Sequence, residues 1–296
     1  MLKLRAYLPA LGVSLLFAGS NIAARIITDS CLTATTIILI RMGLVILALG
    51  VFVRWRPFRQ LAQHHLWSLL AAGGCNVVMN LGVFQALRYT SLTNFSIISA
   101  TNPVLTALLT TLIYRTPWRW STLAALGLSL LGVLIVVLGR ADASLTALNR
   151  GDLIALGVAG IWAIYALIVR HISAVLEPHH VNFGTAVIAF GAVFSFSLLT
   201  GLDATLLAKL TWPELCAFGY LGLFGTALAY TLFTYSVRQV GPNLTALLAF
   251  SMTPLYTALL AWLLLGEALS WWQLAGGLLI VTAVGLAVRG QNGADF

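Results

Sequence analysis

Ten apolar runs, each close to the length of a lipid crossing, follow one another with little between them, and this succession limits the fold more than any motif. A helix needs about 20 apolar residues to cross a hydrocarbon layer of about 30 Å. Bounded by charges, proline or glycine, the runs fall at 6–27, 32–53, 66–87, 92–114, 120–139, 152–169, 181–201, 213–236, 243–265 and 272–289. Connections such as "RWRPFRQLAQHH" after the second run and "RTPW" after the fourth leave no room for a soluble domain. Only 8% of the 296 residues are charged, against about 25% in an ordinary soluble domain. An all-α membrane protein with ten transmembrane helices is therefore predicted, and any activity must sit among the helices.

The formal charge of +8 would suit a nucleic-acid binder. The basic residues, however, stand singly or in small groups between apolar runs, as topology determinants do, and no basic face accumulates. With the N-terminus inside, inner segments hold Lys3, Arg5, Arg54, Arg56, Arg59, Arg115, Arg119, Arg170, Arg238 and Arg289. Outer segments hold Arg25, Arg88, Arg140, Arg150 and Lys209, and Arg41 lies within a run. Both termini are accordingly expected in the cytoplasm. Lys3 and Arg5 before an apolar stretch resemble a signal peptide, but the stretch runs on to Ile27 without a convincing cleavage site and reads as an uncleaved first helix. Cys31, Cys75 and Cys216 are far apart and form no C-x-x-C pair, so they read as small apolar fillers.

The fourth and ninth runs repeat each other. "SATNPVLTALL" from Ser99 and "FSMTPLYTALL" from Phe250 share Pro-x-x-Thr-Ala-Leu-Leu, and a shift of 151 residues superposes Pro103 on Pro254 and Trp120 on Trp271. A shift of 145 superposes Gly12 on Gly157 and Arg25 on Arg170. The chain thus divides into two five-span repeats, 1–145 and 146–296. Because five is odd, the second repeat must be inverted relative to the first, the plan of many secondary carriers, whose substrate site lies between the halves near the midplane. A duplication without a transport role is the other reading.

The residues also resemble a known family. "AGSNIAAR", "QALRYTSLTNFSIISATNPVLTALLTTLIYR" and "VGPNLTALLAFSMTPLYTALLAWLLLGEALSWWQLAGGLLIVTAVGLAV" are similar to the EamA-type branch of the drug/metabolite transporter superfamily, over essentially the whole chain. The ending Gly266-Glu267, Trp272-Gln273, Gly276 is its most specific part. The resemblance implies ten helices in two inverted halves and export of small metabolites, notably amino acids, from the cytoplasm across a bacterial-type inner membrane. Two departures are Phe17, where the family often has Trp while Trp162 keeps the matching place, and Tyr114-Arg115, where an acidic residue often ends the fourth helix.

Several groups of residues are candidates for the substrate path. Pro103 and Pro254 each free a carbonyl about four residues earlier, at Ser99 and Phe250, and read either as paired kinks lining a cavity or as packing kinks. Around them stand Asn102 in one half and Ser251, Thr253 and Tyr256 in the other. Asn21, Asn76, Asn80, Gln85, Tyr165, Tyr230 and Tyr235 are polar groups in apolar runs. Asn76 and Asn80 share a helix face. Such groups should point inward, as path lining or as glue between helices. Trp162, Tyr165, Phe183, Phe190, Tyr230, Phe233 and Phe250 lie deep, as pocket walls or core, whereas Trp55, Trp67, Trp118, Trp120, Trp212, Trp271 and Trp272 form an interfacial belt. Arg41 reads as structural or as a partner for a substrate carboxylate.

All eight acidic residues fall in loops or at helix ends. A proton antiporter, or a pump for cationic drugs, needs a carboxylate at mid-depth. A facilitative carrier of neutral or zwitterionic, partly hydrophobic substrates is therefore preferred over a proton-coupled drug/metabolite antiporter. A sugar-phosphate or nucleotide-sugar exchanger would need more cavity Lys and Arg than Arg41 alone. His64, His65, His179 and His180 read as solvated loop residues. No H-E-x-x-H, G-x-S-x-G or buried aspartate pair supports an intramembrane enzyme, and the absence of charged rings argues against a channel. The preferred function is export of amino acids with aromatic or large apolar side chains by alternating access. Its expected partners are that substrate and the lipid bilayer, with no cofactor, metal or nucleic acid; oligomeric state stays open.

Overall fold

The computed structural model describes residues 6–28, 32–90, 95, 98–115, 120–138, 149–200, 210–266 and 269–292. Among these residues there are helices and no strand. They comprise α1 (Leu8–Thr28), α2 (Ala34–Gly50), α3 (Trp55–His64), α4 (Leu66–Leu87), α5 (Asn102–Tyr114), α6 (Trp120–Leu138), α7 (Arg150–Ile172), α8 (Pro178–Thr200), α9 (Trp212–Val240), α10 (Pro242–Leu265) and α11 (Trp271–Asn292). Seven of them, α4 and α6 to α11, contain a stretch long and apolar enough to cross a membrane. Leu8–Ala24, Ala34–Gly50 and Asn102–Tyr114 are apolar but shorter.

Several helices start on local side-chain chemistry that satisfies otherwise unpaired N–H groups. Thr33 caps α2, accepting from Thr36 N. Asn149 and Asp152 form a reciprocal capping box on α7, and Thr211 with Glu214 does the same on α9. On α11 the Ser270 Oγ accepts from Gln273 N at 3.2 Å while Gln273 Oε1 accepts from Ser270 N at 2.9 Å. Gln273 in the C-terminal motif is thus a helix-start residue.

Two helices differ from expectation. The connection "RWRPFRQLAQHH" is not a plain loop: it forms α3, a short amphipathic helix. The two prolines are also not equivalent. Pro103 stands in the first turn of α5, after a break at Ala100 and Thr101, where its missing N–H costs nothing. Pro254 alone lies inside its helix. There Thr253 and Thr257 bond back to the carbonyls of Ala249 and Thr253 at 2.5 and 2.9 Å, a pattern that bends helices.

The helices pack in a pattern that survives exchange of the two halves. α4 against α7 matches α9 against α1, α8 against α4 matches α2 against α9, and α1 against α10 matches α7 against α5. The remaining large contacts, α2 with α8, α5 with α10 and α6 with α11, each join helices in corresponding places. The largest core cluster joins Val13 of α1, Met79 of α4, Tyr165 of α7, Phe233 of α9 and Ala249 of α10.

The α6–α11 crossing depends on two glycines. A Cβ on Gly132 would lie 2.8 Å from the Gly276 carbonyl oxygen, and one on Gly276 would lie 2.6 Å from that of Gly132. Gly276→Leu or Gly132→Leu must force the helices apart, and such overpacking costs about 1–3 kcal/mol. Both variants are expected to lower the thermal midpoint in detergent. Gly127→Leu on the same helix, where a Cβ meets nothing within 4 Å, should leave it nearly unchanged.

Candidate substrate site

Six aromatic rings from four helices meet in the centre of the bundle. Trp162 of α7 lies parallel to Tyr230 of α9 at 5.3 Å, and its edges meet Phe250 of α10 at 5.4 Å, Tyr165 at 5.7 Å and Phe233 at 5.8 Å. Phe17 of α1 closes the group, 6.0 Å from both Trp162 and Tyr230. These are offset and edge-to-face contacts, each worth about 0.5–1.5 kcal/mol beyond area burial. Tyr165, Tyr230 and Phe233 are buried, whereas Phe17, Trp162 and Phe250 keep part of their surface open. Phe17 and Trp162, superposed by the shift of 145 residues, are in direct contact.

A polar network links α2 with α4 and α9. Arg41, in the middle of α2, donates from one terminal guanidinium nitrogen to Asn80 Oδ1 at 3.0 Å and from the other to Thr226 Oγ1 at 2.9 Å. Asn80 turns its amide nitrogen to Asn76, donating to the backbone oxygen at 2.8 Å and to Oδ1 at 2.7 Å. Arg41 Nε is buried and has no hydrogen-bond partner among the described residues. Thr226 is one turn before Tyr230 on α9, and Met79, beside Asn80, packs in the aromatic core.

No carboxylate faces Arg41 among the described residues. Asp152 and Glu214 serve as helix caps, and Glu177 precedes α8, 3.5 Å from His179. Asp29, Asp142, Asp203, Glu267 and Asp295 lie outside the described residues. A guanidinium partly withdrawn from water, with only neutral acceptors among the described residues, carries a desolvation cost. An anionic group is its natural complement, and a planar carboxylate matches its fork of donors.

Thr226 is placed by an irregular stretch of α9. Residues Tyr220–Leu228 are π-helical, flanked by α-helical Trp212–Gly219 and Ala229–Val240. Where the two periods meet, Asn182 of α8 adds a donor from the neighbouring helix. Its amide nitrogen donates to Ala227 O at 2.9 Å, to Thr226 O at 3.3 Å and to Thr231 Oγ1 at 3.1 Å. Gly222 and Gly225 let neighbours close in: an added Cβ would fall 2.6 Å from Leu44 Cβ and 2.2 Å from Ser20 Oγ. Such π turns are frequent at functional sites.

Other expected path residues are placed elsewhere. Asn102 is buried and donates to Ala159 O of α7 at 2.9 Å; Ser251 is buried against Ser129 of α6. Thr253 bonds its own helix, and Tyr256 packs with Met252 and Leu255 beside Val136 and Ile280. Ser99 is half-buried ahead of α5. Asn21, Gln85 and Tyr235 are exposed rather than inward, Asn21 donating to Thr257 Oγ1 at 3.2 Å. Phe183 and Phe190 belong to a separate core on α2. Of the interfacial tryptophans, Trp118 lies outside the described residues and the rest are exposed.

The histidines require a correction. His180 is buried and stacks on Phe58 of α3 at 5.5 Å, because α3 covers it. Ligand atoms of Glu177, His179 and His180 lie within 4.8 Å of one another, a grouping the sequence reading did not anticipate. It sits at a helix start, where exposed N–H groups favour anions over cations.

Phe17, Thr226 and Asn182 were not singled out as path residues. Only Phe17 had a signal, its match to Trp162. Asn182→Leu is expected to remove the inter-helix bonds to the Thr226 and Ala227 carbonyls, at about 0.5–1.5 kcal/mol, with a lower thermal midpoint. Hydrogen exchange should rise in α9 first, around 226–231; an unchanged exchange profile would contradict the clamp.

Relatives agree with this architecture. The EamA-like transporter family matches residues 4–138 and again 149–289. A Bacillus subtilis protein named uncharacterized transporter YyaM is 24% identical, covering 96% of this chain and 93% of its own. An uncharacterized transporter of Archaeoglobus fulgidus is 26% identical over 76% of each chain. A crystal structure at 19% identity superposes over 99% of both chains with a TM-score of 0.79, which speaks to the fold. With two family units covering nearly all of its length, the chain belongs to the EamA-like transporter family and is a multi-pass membrane transporter, not an enzyme.

Proposed function

We propose that the protein exports amino acids with aromatic or large apolar side chains from the cytoplasm, by facilitated alternating access in a bacterial-type inner membrane. Arg41, half-buried on α2 and facing no carboxylate among the described residues, carries this reading: the guanidinium takes the substrate carboxylate and the rings of Phe17, Trp162, Tyr230 and Phe250 take its side chain. Asn80 and Thr226 hold the guanidinium in the empty protein and yield to the carboxylate, while Asn76 steadies Asn80.

In the same reading ten helices cross the membrane in two inverted repeats, 1–145 and 146–296, with both termini cytoplasmic. Support comes from the odd number of runs per half, the excess of Lys and Arg on one side, and packing that survives exchange of the halves. Pro254 bends α10 beside the ring of Phe250 and so shapes the site. The confinement of described carboxylates to helix starts favours a downhill carrier.

Counterflow in proteoliposomes tests the function, with phenylalanine, tryptophan and threonine compared with and without a pH gradient. Phenylalanine and tryptophan should exchange without the gradient, and phenylalaninamide, lacking the carboxylate, should not. Arg41→Gln should weaken phenylalanine uptake about 10–100-fold, the range for a charged hydrogen bond, and Arg41→Lys should not restore it because the fork is lost. No uptake of any amino acid would sink the substrate claim, and strict dependence on the gradient would sink the facilitative one.

A further inference from the structure

Helix α3 has one side held by the fold and exposed cations beside it. Phe58 fixes the held side, stacking on His180 at 5.5 Å and meeting Phe183 edge-on at 5.6 Å; Trp55 meets Phe183 at 5.4 Å. Outward stand Arg54 and Arg59, both exposed. Exposed apolar side chains flank the helix on either end: Val51 at 82%, Phe52 at 70% and Trp67 at 83% of their full surface.

Charge around α3 is one-sided. Between Asp29 and Asp142 the chain has no acidic residue at all. The carboxylate nearest in the described fold, Glu177 just before α8, is 3.5 Å from His179. A basic amphipathic helix flanked by exposed aromatic residues lies in the plane of the membrane interface, where arginines are drawn to anionic headgroups.

We infer that α3 is a binding site for anionic phospholipid headgroups, with Arg54 and Arg59 on the phosphate and Trp55 and Trp67 at the level of the interface. In the orientation proposed above, the leaflet is the cytoplasmic one; lipid recognition itself rests neither on that orientation nor on what is carried. Because Trp55 and Phe58 lie against Phe183 and His180, a bound lipid bears directly on the first turns of α8.

The test uses the full chain in detergent, titrated with short-chain phosphatidylglycerol or phosphatidylcholine, with bound lipid counted by native mass spectrometry. Phosphatidylglycerol should bind more tightly, and the preference should fade at high salt. Arg54→Gln and Arg59→Gln should each weaken it about fivefold, while Arg238→Gln, which removes an exposed cation at the end of α9, should not. Equal affinity for the two lipids, or an equal loss from Arg238→Gln, would overturn the assignment. Displacement by inorganic phosphate at the lipid's own concentration would make this an anion site rather than a lipid site. If a variant fails to fold, the salt dependence and phosphate competition of the unmodified protein decide the matter.

Discussion

In a hydrocarbon solvent each polar group must find its partner inside the protein, because no water is there to take it. The helical class follows at once, since a helix satisfies nearly all its backbone bonds within its own segment. Side chains add to those bonds within and between helices. Asn182 donates to carbonyls at the end of the π turn of α9, Thr253 donates to the Ala249 carbonyl one turn earlier on α10, and Asn102 reaches from α5 to the Ala159 carbonyl of α7.

Arg41 meets that rule only in part. Its terminal nitrogens are satisfied by neutral oxygens of Asn80 and Thr226, which leaves its charge unmatched among the described residues. Stability alone would be served better by an apolar residue of similar volume. A charge retained at such cost in the middle of an apolar bundle points to function. The π turn of α9 carries Thr226, which accepts from the cation, and Tyr230 of the aromatic group follows four residues later on the same helix.

Much of the site was legible as residue type and little of it as arrangement. Asn76, Asn80, Tyr165, Tyr230, Trp162 and Arg41 stand out as polar or aromatic groups in apolar runs; the first two bond with Arg41 in one network, and the three rings meet in another. Asn102 and Ser251 stand out equally in the sequence, yet one ties α5 to α7 and the other ties α10 to α6. Thr226 and Asn182 gave no signal, because a threonine or asparagine in a membrane helix looks the same whether it bonds its own helix or another. The proline repeat suggested two equal kinks, but the break before Asn102 turned Pro103 into a helix-start residue. Helix α3 was read only as a connection, although Trp55, Phe58 and Leu61 stand at helical spacing.

What the sequence determined by itself is the position of the apolar runs, the helical class and the twofold repetition. Lipid makes those properties local: run length, charge placement and backbone pairing are settled within each segment. Only tertiary structure decided which polar groups meet. Arg41 and Thr226 are 185 residues apart, and Asn21 and Thr257 are 236 apart. Whether such pairs touch depends on the rotation and depth of each helix, set by close crossings such as Gly132 on Gly276, which no single segment contains.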